Sequence, residues 1–279
     1  IRQYLNGNPM AHKLVIDAAA TIITHTHAER EGEMKLWDST GSTLEGVGAA
    51  RAEKALRTVE TAHTWIIKHQ LDAVMNKYVA VTKTVPVSEL LLSHRNVLVE
   101  STQGFGLSLN YSGYYPQVTS GDLTPAQILN DAGLGGCRNY RVVGVMRTYP
   151  IRVAGNSGPL FGETTWEKLE QDSNGYIKQE HTTVTNRVRR VGTWDSYLAR
   201  RFGTICRPDE IFLTMVDYKF PLATQKLSDV FSNGGDIATR TRLTELLTRV
   251  ENDVQAPVTH IGVGPGKILN VYDLHLPGR

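Results

Sequence analysis

Apolar side chains recur at Ala52, Ala55, Leu56, Val59, Ala62, Trp65 and Ile66, a three-and-four spacing that predicts one long amphipathic helix over residues 52–66. Leu243, Leu246, Leu247 and Val250 repeat that spacing and predict a second helix near the C-terminus. Elsewhere the period shortens. Residues 97–99 (inside the apolar run 96–100), 142–146, 211–216 and 258–261 are short and rich in β-branched side chains. Each ends in a loop with Gly, Asp or Pro, as buried strands of an α/β sheet do. Residues 13–16 and 20–24 are shorter β-like runs, and a polar, Gly-rich segment at 38–48 leads into the long helix. Thr124-Pro125-Ala126-Gln127 reads as a capped helix start with proline at its first position. Residues 1–8 read as a helix tail followed by an Asn-Gly-Asn-Pro turn. Strands alternating with helices predict an α/β fold class, with a mostly parallel central sheet flanked by helices and ligands at the carboxyl ends of its strands.

Composition narrows the partners. A chain of 279 residues with 41% hydrophobic content can bury a full core, as one large domain or two small ones. Thirty basic residues against 28 acidic ones leave a net charge of +2, too balanced for a nucleic-acid surface spread over the whole chain. Any anion site must therefore be local. Two cysteines, Cys137 and Cys206, make no disulfide framework and fit a reducing, cytoplasmic setting. No apolar run has the length of a membrane span and no signal-peptide pattern opens the chain, so neither nucleic acid nor membrane is an expected partner. The first residue is Ile1 and not Met, which predicts a natural frame that begins earlier.

Five segments carry chemistry. Gly41-Ser42-Thr43-Leu44-Glu45-Gly46 stands before a helix, where a Gly-rich turn offers backbone N–H groups to a phosphate; an ordinary helix cap would look the same. The loop opened by Gln103-Gly104-Phe105-Gly106 and closed by Tyr115-Pro116-Gln117-Val118-Thr119-Ser120 supplies neutral donors and acceptors for a purine edge and a phosphate. Arg147-Thr148-Tyr149-Pro150-Ile151-Arg152-Val153 follows a predicted strand. Residues 182–192 pack hydroxyls beside Arg187, Arg189 and Arg190, a poor core strand but a good clamp for carboxylates and phosphates. The last is a pair of strand ends, Leu213-Thr214-Met215-Val216-Asp217 and Ile261-Gly262-Val263-Gly264-Pro265. His25 and His27 alternate on a predicted strand end with no nearby carboxylate or cysteine to complete a metal site, so no metal ligand is assigned.

In order and spacing these segments resemble those of the adenylosuccinate synthetases, and Gln-Gly-Phe-x-Leu-Ser-Leu-Asn at residues 103–110 is similar to the phage and archaeal branch that makes 2-aminoadenylosuccinate. The resemblance implies a P-loop NTPase-related fold as a single domain over residues 1–279, without its N-terminal strand and loop. It implies a purine-biosynthesis ligase that joins L-aspartate to a 6-oxopurine nucleotide, IMP or dGMP, using GTP or ATP. By the same resemblance Thr43, Arg57, Gln103, Thr119, Val153 and Arg187 contact the purine nucleotide. Arg57 would reach the site from a neighbouring subunit, which implies a homodimer. Thr183, Thr185 and Arg187 would hold aspartate. Arg189, Asp217, Gly262 and Gly264 would hold the donor, Asp217 accepting the guanine N1 and N2 protons of GTP. The sequence departs from the family at Leu44 and Met215, where Gly and Lys are the usual residues, and from the bacterial enzymes at Asn186 and Val188, where they carry Gly and Arg; at Val188-Arg189-Arg190-Val191 it is similar to the phage branch. The family's Glu-Gly-Lys-Gly loop, which carries the base and binds Mg²⁺, and its Asn-Ala-Gly-His-Thr segment are not in this sequence, so no catalytic residue is assigned. A nucleotide-binding protein without catalysis, or a module completed by a separate chain, stays open.

Overall fold

The computed structural model describes residues 14–70, 79–82, 87–93, 96–182, 186–220 and 237–278. The chain divides into two compact units.

The first unit takes in residues up to Leu36, Leu44–Thr102 and Ala126–Cys137. Its strand β1 (Leu14–Asp17) pairs in parallel with β2 (Val79–Thr82). Asp17 closes the end of β1 by accepting from the Val87 and Ala19 amides, each at 2.8 Å. Residues 20–24 do not extend as a strand. Thr21 makes a lone bridge to Thr61, and Thr24 caps helix α1 (His25–Glu33), its amide donating to His27 Nδ1 at 2.9 Å. That reciprocal capping outweighs the β-like composition and puts His25 and His27 on a helix. The other ring nitrogen of His27 meets Glu53 at 3.1 Å.

Helix α2 (Leu36–Thr40) runs into the second unit, and α3 (Val47–Leu56) resumes the first. The single helix expected over 52–66 is two. Arg57 takes a left-handed conformation that ends α3, and Thr61 with Thr64 forms a capping box that starts α4 (Ala62–Lys68). Local capping wins because the 52–56 positions carry no buried stripe; Ala49, Ala50, Ala62 and Ile66 are the buried residues. Helices α5 (Val87–Leu92) and α6 (Pro125–Asp131) complete the unit, α6 starting at the expected proline. The run 96–100 forms no strand, and Leu98 is 92% exposed. A strand pattern is realised only where a neighbour supplies a ladder, and no described strand pairs with it.

In the second unit a four-stranded sheet runs in the order β3 (Val143–Arg147), β6 (Glu210–Thr214), β7 (Val258–Gly262), β8 (Ile268–Asn270). The first three strands are parallel and β8 is antiparallel, matching the mostly parallel sheet expected. A two-stranded antiparallel ribbon of β4 (Ile151–Arg152) and β5 (Arg190–Val191) stands apart, with helix α7 (Trp166–Asp172) between them in sequence. Helix α9 (Ile237–Val254) lays Leu243, Leu247, Val250 and Val254 in one core with Ile211, Leu213, Val258 and Ile261 from the strands. Helix α8 (Ser196–Cys206) packs in at Gly203, where an added Cβ would lie 2.1 Å from the Val254 carbonyl oxygen. Burial pushes the Cys206 thiol up to about 11, so this cysteine stays a thiol that serves packing. No helix of the described residues is long and apolar enough to cross a membrane.

Because backbone blocks the space at Gly203, relief requires the two helices to part. Gly203→Ala is expected to lower unfolding free energy by about 1–3 kcal/mol, read by urea melts, without changing the far-UV spectrum.

Candidate functional site

The turn at residues 41–46 has a different job from the one its glycines suggest. Glu31, 3% exposed, turns its carboxylate into the start of α3 and accepts from the amides of Gly46 at 3.0 Å, Gly48 at 2.8 Å and Ala49 at 3.3 Å. An acidic group suits a helix N-terminus because it meets both the free amides and the positive end of the dipole. The amides that the sequence offers to a phosphate are therefore held by the protein's own carboxylate. A phosphate contact by Thr43 would have to be made outside that helix start. Arg57, in the first unit, is an exposed side chain at the C-terminal end of α3.

The second unit gathers the other segments, and Arg152 at the end of β4 is what gathers them. Its guanidinium donates to the carbonyls of Gln117 at 3.3 Å, Gly106 at 3.0 Å and Ser157, and lies 5.2 Å from the centre of the Tyr114 ring. One planar cation thus pins both ends of the 103–120 loop and the turn after β4. Burial pulls its pKa below the usual arginine value, and it stays cationic because it starts so far above neutrality. The Asn156 amide donates to the carbonyls of Asp38 at 3.0 Å and Ser39 at 3.4 Å, and Gln117 Nε2 reaches the Ser39 carbonyl at 3.5 Å. Gly41, with φ +70°, lies where an added Cβ would come within 2.6 Å of Ser157 Cα, so only glycine lets this approach happen. Arg187 stacks on the Trp37 ring with its guanidinium carbon 3.8 Å from the ring centre. Arg190 grips Glu163 with two bonds of 2.6 Å and also reaches the Gly158 carbonyl at 2.7 Å.

The segments holding Thr43, Gln103, Thr119, Val153 and Arg187 are thus tied to one another by direct contacts. Gln103 is exposed and left-handed, φ 72°, at the mouth of its loop. The Thr119 amide donates to the Leu107 carbonyl at 2.8 Å, which closes that loop. Inside it, Asp122 accepts from Ser108 Oγ at 2.8 Å and from the Asn110 amide and side chain at 2.8 and 2.7 Å. Val153 directly follows Arg152, and its carbonyl accepts from Ser157 Oγ. Thr182 and Arg187 pair backbone to backbone at 2.8 Å. Thr183 and Thr185 lie outside the described residues. Arg189 is half-buried on the same hairpin, its Nε donating to the His181 carbonyl at 3.2 Å.

The other three donor residues of the expectation, Asp217, Gly262 and Gly264, lie at the carboxyl edge of the sheet. Gly262 ends β7 and Gly264 follows in its loop. Asp217 sits in the turn after β6, but it is 4% exposed, and the Tyr176 hydroxyl donates to its Oδ2 at 2.7 Å. Arg152, Trp37, Glu31 and Tyr176 were not picked out as functional by sequence reasoning. A tryptophan inside the otherwise polar 37–43 stretch was the one available signal.

A sheet with polar loops gathered beyond the carboxyl ends of parallel strands defines the class of α/β proteins that bind ligands at that edge. The family model described as adenylosuccinate synthetase matches residues 68–242, and the chain belongs to that family. It is 35% identical to the N6-succino-2-amino-2'-deoxyadenylate synthase of Vibrio phage phiVC8, over 77% of this chain and 61% of that protein. It is 33% identical to the adenylosuccinate synthetase of Thermococcus onnurineus, over 94% of this chain and 71% of that one. Among solved structures it matches the succinoaminodeoxyadenylate synthetase of cyanophage S-2L, bound to dGMP and dATP as an energy donor. That match has 28% identity and a TM-score of 0.75, covering 96% of this chain and 72% of that one. The chain spans 61% and 65% of the two phage relatives it matches at 35% identity, less than two thirds of their length.

Two outcomes are expected. Arg152→Lys keeps the charge and loses the fork, so amide exchange at Leu109, Gln117 and Thr119 should rise by about tenfold or more while the far-UV spectrum stays the same. The Arg190 hydrogen bonds hold the Glu163 carboxyl below the usual range against the opposing effect of burial. Its contribution to stability is therefore complete above the unfolded carboxylate value of about 4.3 and is lost as pH falls through the lower folded one. Melting curves of the wild type and Glu163→Gln should differ at pH 7 and converge towards pH 3.

Proposed function

We propose that the chain serves a ligase that joins L-aspartate to a 6-oxopurine nucleoside monophosphate, IMP or dGMP, and consumes a purine nucleoside triphosphate, yielding adenylosuccinate or its 2-amino form. The observation that carries the reading is the web around Arg152 and Trp37, which draws four separated segments of the second unit into one neighbourhood. Membership of the family supports it, as do the nucleotides bound by the cyanophage relative.

In this reading Gln103 and Thr119 meet the purine nucleotide, Val153 its sugar and Thr43 its phosphate. Thr183, Thr185 and Arg187 take the aspartate carboxylates, and Arg189 takes the triphosphate. The donor's γ-phosphoryl group passes to O6 of the purine and makes it a leaving group; the aspartate amine then displaces phosphate at C6. The residues proposed here position and neutralise charge, which is most of what phosphoryl transfer asks of a protein. Arg187 is suited to that task because its perch on Trp37 is a weak, exposed contact that a carboxylate can outcompete.

Mg²⁺ belongs to the proposed chemistry, where it would neutralise the donor's phosphates. Among the described residues no group of three or more His, Cys, Asp and Glu side chains could hold a metal ion. These residues do not compose such a site by themselves, and no step is routed through it. Arg57, exposed at a helix end, is proposed to act in the site of a second copy, as a homodimer would allow.

Calorimetry on the chain with dGMP or IMP, then aspartate, tests the reading. Aspartate is expected to bind only after the nucleotide, and Arg187→Ala is expected to weaken it by about tenfold or more. Unchanged aspartate and nucleotide affinities in Arg187→Ala would count against the assignment.

A further inference from the structure

The hairpin that carries Arg187 and Arg189 is fastened to the sheet through the side chain of Glu180. Its arms pair backbone to backbone: the Arg189 amide donates to the Glu180 carbonyl at 2.9 Å, and His181 bridges Val188. Trp166 Nε1 steadies the second arm by donating to the Arg189 carbonyl at 2.6 Å. The first arm has Glu180. One oxygen of that carboxylate, Oε1, accepts from Arg147 Nη2 at 2.6 Å and from the Tyr218 hydroxyl at 3.2 Å. Both donors belong to strand ends, Arg147 as the last residue of β3 and Tyr218 in the turn after β6, and those two strands are paired in parallel. Burial, then the charge of Glu180, pushes the Tyr218 phenol up to about 12, so it stays a donor.

The anchor point is itself locked. Thr148, 1% exposed, donates its hydroxyl to the Met215 carbonyl at 2.6 Å, which ties the residue after β3 to the residue after β6. Arg147 Nε reaches the Tyr149 carbonyl at 3.2 Å, and Lys219 Nζ lies 3.7 Å from the centre of the Tyr149 ring. The Glu180 and Arg147 side chains are 19% and 23% exposed, so their charge-assisted bond is largely shielded from water, unlike a surface ion pair. Arg187, by comparison, is exposed and rests on Trp37. An exposed arginine clamps an anion well only when the backbone beneath it is fixed, because otherwise binding must also pay for ordering the hairpin. We propose that Glu180 is a positioning residue that holds the arginine hairpin on the joined ends of β3 and β6 and so sets the affinity for aspartate at Arg187. The role rests on the proposed function for the ligand that Arg187 takes. Glu180 itself touches no substrate in this scheme.

The test is titration calorimetry of the chain with dGMP, and then of the dGMP-saturated chain with aspartate. Glu180→Ala is expected to weaken aspartate by about tenfold while dGMP affinity changes by less than about threefold, because Arg152 and not Glu180 holds the 103–120 loop. Glu180→Gln keeps one oxygen where Oε1 stands, able to accept from both Arg147 and Tyr218, and is expected to bind aspartate within about threefold of the wild type. That rescue separates a held position from a general loss of stability. Tyr218→Phe removes one of the two donors and should weaken aspartate by about threefold, which tests the same anchor if Glu180→Ala does not fold. Unchanged aspartate affinity in the variants, an equal loss for dGMP and aspartate in Glu180→Ala, or a Gln variant as weak as the Ala one overturns the role of Glu180 and leaves the proposed function standing. Failure of the wild type to bind dGMP or aspartate overturns both.

Discussion

A half-buried guanidinium holds the second unit's polar loops in register. Arg152 reaches carbonyls on both sides of the 103–120 loop and the carbonyl of Ser157, which only a planar fork with several donors can do at once. Gly106 lies in a single 3-10 turn (Phe105–Leu107) and Gln117 and Ser157 in loops, so without the cation their carbonyls would need water or some other partner. The consequence is reach: residues separated by up to 150 positions meet through Arg152, Asn156, Trp37 and Arg190. The adjoining sheet supplies rigidity. Its α8–α9 layer closes on Gly203, and its parallel strands all end at the edge where Asp217 and Gly262 lie.

Acidic side chains are used in this protein mainly to satisfy its own donors. Glu31 fills the start of α3, Asp122 ties the inside of the 103–120 loop, Glu163 neutralises Arg190, and Asp217 meets Tyr176. Arg187, by contrast, remains exposed, and Arg189 beside it is only half-buried. A nearly neutral chain thereby presents a locally positive hairpin, the arrangement that anionic substrates require.

Much of the fold was legible in the sequence because tertiary contacts reinforce the local signal there. The runs 142–146, 211–216 and 258–261 alternate with helices and are paired on their neighbours, and the leucines of α9 face one core. The failures share a cause. Residues 96–100 have strand composition but no described ladder, 20–24 yield to a capping box around Thr24, and 52–66 break where Arg57 turns left-handed. Each depends on a bond or neighbour that a periodicity does not encode. The site divides the same way. Its arginines and polar loops could be singled out as types. The Arg187–Trp37 stack, the placement of Glu31 and the Tyr176 bond to Asp217 are pairings of distant residues, and no spacing along the chain announces them.

The central claim is that the loops gathered by Arg152 enclose a purine monophosphate. A crystal structure of the chain grown with dGMP tests it directly. The account predicts nucleotide density within hydrogen-bonding distance of Gln103 and Thr119, with Val153 against the sugar. Nucleotide ordered elsewhere on the chain, or none at saturating dGMP, would contradict it.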